Sequence, residues 1–104
     1  MEQTINLNGV TYRAEVASEE LPVRIVILQR GWVMVGRFSA DGDALMLTSA
    51  SVVHHWGTTK GLGQIVAAGP TKDTILHAAG TVRFHALTVV AMLDCEGEAW
   101  APHL

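Results

Sequence analysis

The chain has one cysteine, Cys95, among its 104 residues, so no disulfide can form within it. Packing and hydrogen bonds have to hold the fold, which suits a reducing compartment, and a cytoplasmic location is expected. No run approaches the ~20 apolar residues that span a bilayer. The densest stretch, Ala86 to Leu93, contains Thr88 and suits a buried strand better, so no membrane partner is expected. Met1 is followed by Glu2 and polar residues, which is unlike a secretory leader.

Charge is scarce as well. Only 16% of residues are charged, against about 25% in an ordinary soluble domain. The seven basic residues are scattered and the net charge is −3. Phosphate backbones are met by concentrated Lys and Arg, so this balance argues against a nucleic-acid partner. Hydrophobic residues make up 49% of the chain. A short chain with so few charges is expected to bury some apolar surface against another copy, as a homo-oligomer. The alternative is a monomer kept soluble by its Thr, Ser and Gly residues.

Motifs for self-contained catalysis are also missing. There is no Cys-x-x-Cys or His-x-x-x-His to hold a metal. His54 and His55 are neighbours, so a regular strand would point them to opposite faces. A metal site would then need His77, His85, Asp94 or Cys95 to converge from elsewhere; no metal and no cofactor are expected. Asp94 beside Cys95 pushes a thiol pKa upward, the wrong direction for a nucleophile. The ten acidic residues cluster near turns and termini and offer no obvious acid–base pair. The chain does not read as an enzyme.

What is present is mostly β. Ile5 and Leu7 alternate with polar residues, Asn8-Gly9 follows, and Val10, Tyr12 and Ala14 alternate again, which is a hairpin pattern. Glu19-Glu20-Leu21-Pro22 breaks it. Val23 to Leu28 reads as a strand, Arg30-Gly31 punctuates, and Trp32 to Phe38 resumes. Asp41-Gly42 marks a turn before a strand from Ala44 to Thr48, and Val52, Val53 and Trp56 suggest another short one. Gly36 inside a strand suggests a bulge or a close backbone approach. Leu62, Ile65 and Val66 share a helical face, and Gly69-Pro70 stops a helix of about two turns. Thr74 to His77, then Val82 to Leu93, return to strand chemistry. The second has apolar residues on both faces, as a central or interface strand does.

The fold class predicted is therefore mostly β with one short helix, as a small curved antiparallel sheet or partly open barrel. A single domain over 1–104 is expected, with an N-terminal hairpin and connector over 1–22, a core over 23–95 and, apart from Trp100, a loose tail over 96–104.

The richest candidate site is the strand–loop–helix from Val52 to Ala68. Gly57-Thr58-Thr59-Lys60-Gly61-Leu62-Gly63 exposes backbone N–H groups, the helix start adds partial positive charge, and Lys60 adds a full one. Trp56 supplies a flat surface on which a base can stack. The loop is neither a Walker A motif nor a dinucleotide fingerprint. Two readings are open. Trp56, Thr58, Thr59, Lys60, Gly61 and Gly63 hold a ligand, or the glycines make only a tight corner and Trp56 caps the core. Arg83 and His85, on one strand face by their i, i+2 spacing, are further ligand candidates or a solvated pair. Arg30 and Arg37 flank a strand beside Trp32 and are read as an exposed rim that can add charge to a site.

The segments Arg30-Gly31-Trp32-Val33-Met34-Val35-Gly36-Arg37 and Trp56-Gly57-Thr58-Thr59-Lys60-Gly61-Leu62-Gly63 resemble those of short uncharacterised proteins of tailed phages and prophages, over about Val23 to Cys95. The resemblance implies a phage or prophage origin and a bacterial host, and transfers no activity. Small phage β-proteins include structural accessories, host regulators and anti-defence proteins that sequester nucleotide signals. The leading expectation is a non-enzymatic protein that binds, and sequesters, a nucleotide-like anionic small molecule. The alternative is a structural or protein-interaction module.

Overall fold

The computed structural model describes residues 4–7, 10–13, 20–59 and 61–104. Strands β1 (Thr4–Leu7) and β2 (Val10–Arg13) pair antiparallel as a two-stranded sheet of their own, with Leu7 opposite Val10. The Asn8-Gly9 turn expected between them lies outside the described residues.

The body is one five-stranded antiparallel sheet. Its strands are β3 (Val23–Leu28), β4 (Trp32–Asp41), β5 (Ala44–His55), β6 (Ile75–His85) and β7 (Val89–Asp94), in the order β6-β5-β4-β3-β7. Helix α1 (Leu62–Ala68) joins β5 to β6, and α2 (Gly97–Trp100) follows β7. The mostly β class and the curved antiparallel sheet are as the sequence predicts.

The curvature follows from connectivity. β6 and β7 are adjacent in sequence and sit on opposite edges of the sheet. Four strand spacings would separate them by about 19 Å in a flat sheet. The connector is a single 3-10 turn, Ala86–Thr88, which rises only about 2 Å per residue. The sheet must therefore curl until its two edges approach, while staying open. Gly36 allows the bend: a Cβ there would stand 2.9 Å from the Thr48 carbonyl oxygen. The β4–β5 register shifts between Val35 and Arg37, and Ser49 on the facing strand takes φ 50. Gly36 thus marks both a bulge and a close approach.

Each face of the bent sheet has its own core. Val23, Ile25, Val33, Val35 and Val53 pack with Ile65 of α1 and Trp100 of α2. Val26, Met34, Phe38, Leu45, Leu47 and Ala50 form the second cluster.

Three expected boundaries are corrected. Ala44–Thr48 and Val52–Trp56 are not two strands, because β5 runs through the bulged Ser49 without a break. Val82 to Leu93 is not one central strand. The His85 Nδ1 accepts from the Leu87 backbone N–H at 3.0 Å, and the Thr88 hydroxyl donates to the His85 carbonyl at 2.6 Å. Those bonds turn the chain and send its halves to opposite edges. Residues 96–104 do not form a loose tail. They continue as α2 and a 3-10 turn, Ala101–His103, with Trp100 0% exposed. The expectation of an exposed Arg37 also fails. Its side chain is buried, and Nη1 donates to the Leu21 carbonyl at 3.0 Å, tying the entry of β3 to β4. Arg30 is exposed in the β3–β4 turn, at φ 69.

Candidate functional site

The loop leaving β5 is pinned from below by a threonine turn. The Thr74 hydroxyl donates to the Trp56 carbonyl at 2.6 Å, and the Thr71 hydroxyl donates to the Gly57 carbonyl at 2.7 Å. Within that turn the Thr71 N–H donates to Thr74 Oγ1 at 2.8 Å, and the Asp73 N–H to Thr71 Oγ1 at 3.1 Å. Gly57 lies directly on the turn. It takes φ 67, and a Cβ would fall 2.3 Å from the Asp73 carbonyl carbon, so only glycine fits. On the other side, the Thr59 N–H donates to Oε1 of Gln64 on α1 at 3.2 Å. Helix α1 is itself held from the C-terminal segment. Trp100 Nε1 donates to the Ile65 carbonyl at 2.8 Å, and the Glu96 N–H to the Val66 carbonyl at 2.9 Å.

This support frames an open cleft of about 920 Å³. His54, His55, Trp56, Gly57, Thr58, Thr59, Gly61, Asp73 and Ile75 line it. The indole of Trp56 is 40% exposed, so it does not cap the core, and Ile75 beside it is also exposed. The wall thus combines an aromatic and an aliphatic surface with hydroxyls, imidazoles and one carboxylate.

Of the residues singled out in the sequence, Trp56, Thr58, Thr59 and Gly61 meet in the cleft. Gly63 is exposed in the first turn of α1 and does not line it. Lys60 lies outside the described residues. Arg83 and His85 are exposed on one face of β6, as their spacing requires, but at its far end, opposite Met46 and Ala44. The cleft is at the other end, where His55 pairs with Ile75, roughly 25 Å away along the strand. His85 is engaged in the turn already described.

Asp73 and Ile75 have no place among the sequence candidates, and His54 and His55 figure there only as metal ligands. Strict alternation sets the two histidines on opposite faces. The β5–β6 register shifts between Val53 and His55, and this bulge brings both to the cleft wall. A His-His pair immediately before a glycine-rich turn was the available signal. Asp73 and Ile75 arrive through the threonine staple, which has no local signature.

Elsewhere, Cys95 is half-buried and its thiol pKa is pushed up to about 11. Burial is the main cause; a backbone hydrogen bond from Ile25 lowers it, and the Asp94 charge raises it further. Asp94 is paired with Arg24 at 2.9 Å. Among the described residues no three His, Cys, Asp or Glu side chains form a group suited to a metal ion, and no helix is long and apolar enough to cross a membrane.

No protein-family model matches the chain, and no curated protein sequence matches it. Among solved structures it is similar to the crystal structure of a heptameric archaeal Sm protein. The identity is 16%, the match covers 72% of this chain and 87% of that one, and the TM-score is 0.49.

Proposed function

We propose that the protein is a non-enzymatic, homo-oligomeric binding module that holds a nucleotide-like small molecule, a planar ring carrying an anionic group, in the Trp56 cleft, and so sequesters it. The observation that carries this reading is the placement of Trp56. A large aromatic side chain is left exposed on the wall of a cleft, while the backbone beneath it is fixed by two threonine hydroxyls and an obligatory glycine. A preformed stacking surface binds a ring without first having to order the loop. Thr58 and Thr59 supply hydroxyls beside it. A phage or prophage origin belongs to the same reading and rests on the two sequence segments alone.

Calorimetric titration with a panel of cyclic and linear nucleotides tests the reading, with Trp56→Ala as the control. Loss of a stacking surface worth about 1–3 kcal/mol per base corresponds to roughly 5- to 150-fold weaker binding. The variant should melt close to the parent, because the indole is not in the core. No heat from any nucleotide with the parent protein would reject the ligand assignment.

A second reading, a protein-interaction module, has its own observation. Trp32 (54% exposed), Leu87 (81%), Val90 (67%) and Met92 lie near the β7 edge, where among the described residues no further strand pairs. An open sheet edge beside large apolar side chains favours association with another chain. Native mass spectrometry of protein purified from cells reads subunit number and any retained small molecule together, and so separates the two.

A further inference from the structure

His54 and His77 come from neighbouring strands and stack ring on ring, their centroids 4.9 Å apart and their planes inclined by 15°. That spacing is within the range of favourable aromatic pairs. His54 reaches the cleft because of the bulge at the end of β5, and His77 on β6 backs its ring. Among the described residues the cleft wall carries no lysine or arginine, and Arg83 is at the far end of β6. A ring-bearing anion in the cleft therefore has imidazoles, rather than guanidinium groups, within reach.

We propose that His54, held in place by His77, is the anion subsite of the Trp56 cleft and binds the phosphate or phosphodiester group of a ring-bearing ligand in its protonated form. This rests on the nucleotide-type reading of the cleft and adds which group takes the charge. Histidine is the side chain that gains charge as pH falls between 8 and 5. When protonated it donates from both ring nitrogens, and such a bond to a phosphate oxygen is roughly twice as strong as a neutral one. His55 on the same strand and Asp73 in the turn leading into β6 also line the cleft. The Asp73 carboxylate on the same wall repels an anion. The charged group is therefore placed on the imidazole side, with the ring toward Trp56 and Ile75.

The test compares cyclic adenosine monophosphate, whose phosphodiester stays singly charged throughout, with uncharged adenosine, by calorimetry at two pH values. The preference for the cyclic nucleotide should grow about tenfold from about pH 8 to about pH 5.5. In His54→Gln the preference should be small and flat with pH. His77→Ala should weaken it, and His77→Phe, which keeps a ring against His54, should restore it. A preference that does not change with pH, or that survives His54→Gln and disappears in Lys60→Ala, overturns the assignment and gives the anion to the loop lysine. Binding of neither probe overturns the ligand reading itself along with it. Trp56→Ala, which should weaken both probes alike, keeps the two failures apart.

Discussion

The indole N–H of Trp100 donates to the carbonyl oxygen of Ile65 at 2.8 Å, and both residues are fully buried. That bond joins the C-terminal turn to α1, and α1 presents Gln64 to the Thr59 N–H at the cleft lip. The last nine residues of the chain therefore support the site from behind.

Trp100→Ala is expected to cost about 3–5 kcal/mol of stability, the usual range for removing a buried large aromatic. Trp100→Phe retains most of the ring but removes the donor, with a smaller loss of about 1–3 kcal/mol. The Ile65 carbonyl still accepts from the Gly69 N–H at 2.9 Å, which limits the damage. Chemical denaturation of both variants checks the order. A Trp100→Phe variant as unstable as Trp100→Ala would mean that the hydrogen bond, and not the ring, dominates.

The parts of the fold that were legible in the sequence are those where hydropathy and punctuation agree. Val23 to Leu28 ends at Arg30-Gly31, and both of those residues take positive φ. Leu62 to Ala68 shows helical spacing and stops at Gly69, at φ 81. The misread parts are those where a side chain bonds to backbone. His85 and Thr88 break a run that is apolar throughout. Gly97 and Pro102 look like breakers, yet Pro102 sits in the opening of a 3-10 turn and Trp100 just before it is core. In the site, the contiguous loop residues could be found in sequence. Asp73 and Ile75 could not, because the threonine bonds that bring them in join residues 14 and 18 positions apart.

Gly57→Ala should damage the site without removing any side chain from it. The new methyl must displace the Asp73–Thr74 backbone, and the residue must hold φ 67. Both effects oppose the Thr71 and Thr74 bonds that pin the loop. Gly61→Ala is the comparison: it has a similar φ of 80 but open space around the Cβ position. A non-glycine residue held at such a positive φ costs about 1–3 kcal/mol. Gly57→Ala should exceed that loss and bind the nucleotide panel more weakly. Equal melting temperatures for the two variants would show that the loop yields easily and that the staple is weak.

Cys95 sets an alkaline limit. Its folded pKa of about 11 is raised from 9.0. A group with a raised folded pKa gives its full contribution below the unfolded value and loses it as pH rises through the folded one. Stability should therefore fall between about pH 9 and about pH 11, and the fall should be shallower in Cys95→Ala, which has no thiol to ionise. Thermal melts of both proteins across that window decide it; parallel curves would remove Cys95 as a cause. The same shift predicts slow alkylation of the native thiol at neutral pH and fast alkylation once the protein is denatured, since the thiolate is the reactive form.

Leu87 and Val90 are among the most exposed large apolar residues of the body, and Val90 stands at the point where the β3–β7 register shifts. An exposed side chain with few contacts contributes little to the fold, so Leu87→Lys and Val90→Lys should each change stability by no more than about 0.5 kcal/mol. A lysine on an exposed edge nevertheless opposes pairing with another chain, because its charge would have to be desolvated at the contact. Sedimentation of the parent at micromolar concentration should show a dimer or larger species, and both lysine variants should shift toward monomer. Trp32→Lys, on β4 opposite Leu28 of β3, extends the series further into the sheet. If the parent sediments as a monomer across the concentration range, the association argument from low charge and open edges fails. If it associates and all three lysine variants associate equally well, the contact lies elsewhere, and the β6 edge with its run of small exposed residues from Ala78 to Gly80 becomes the surface to substitute next.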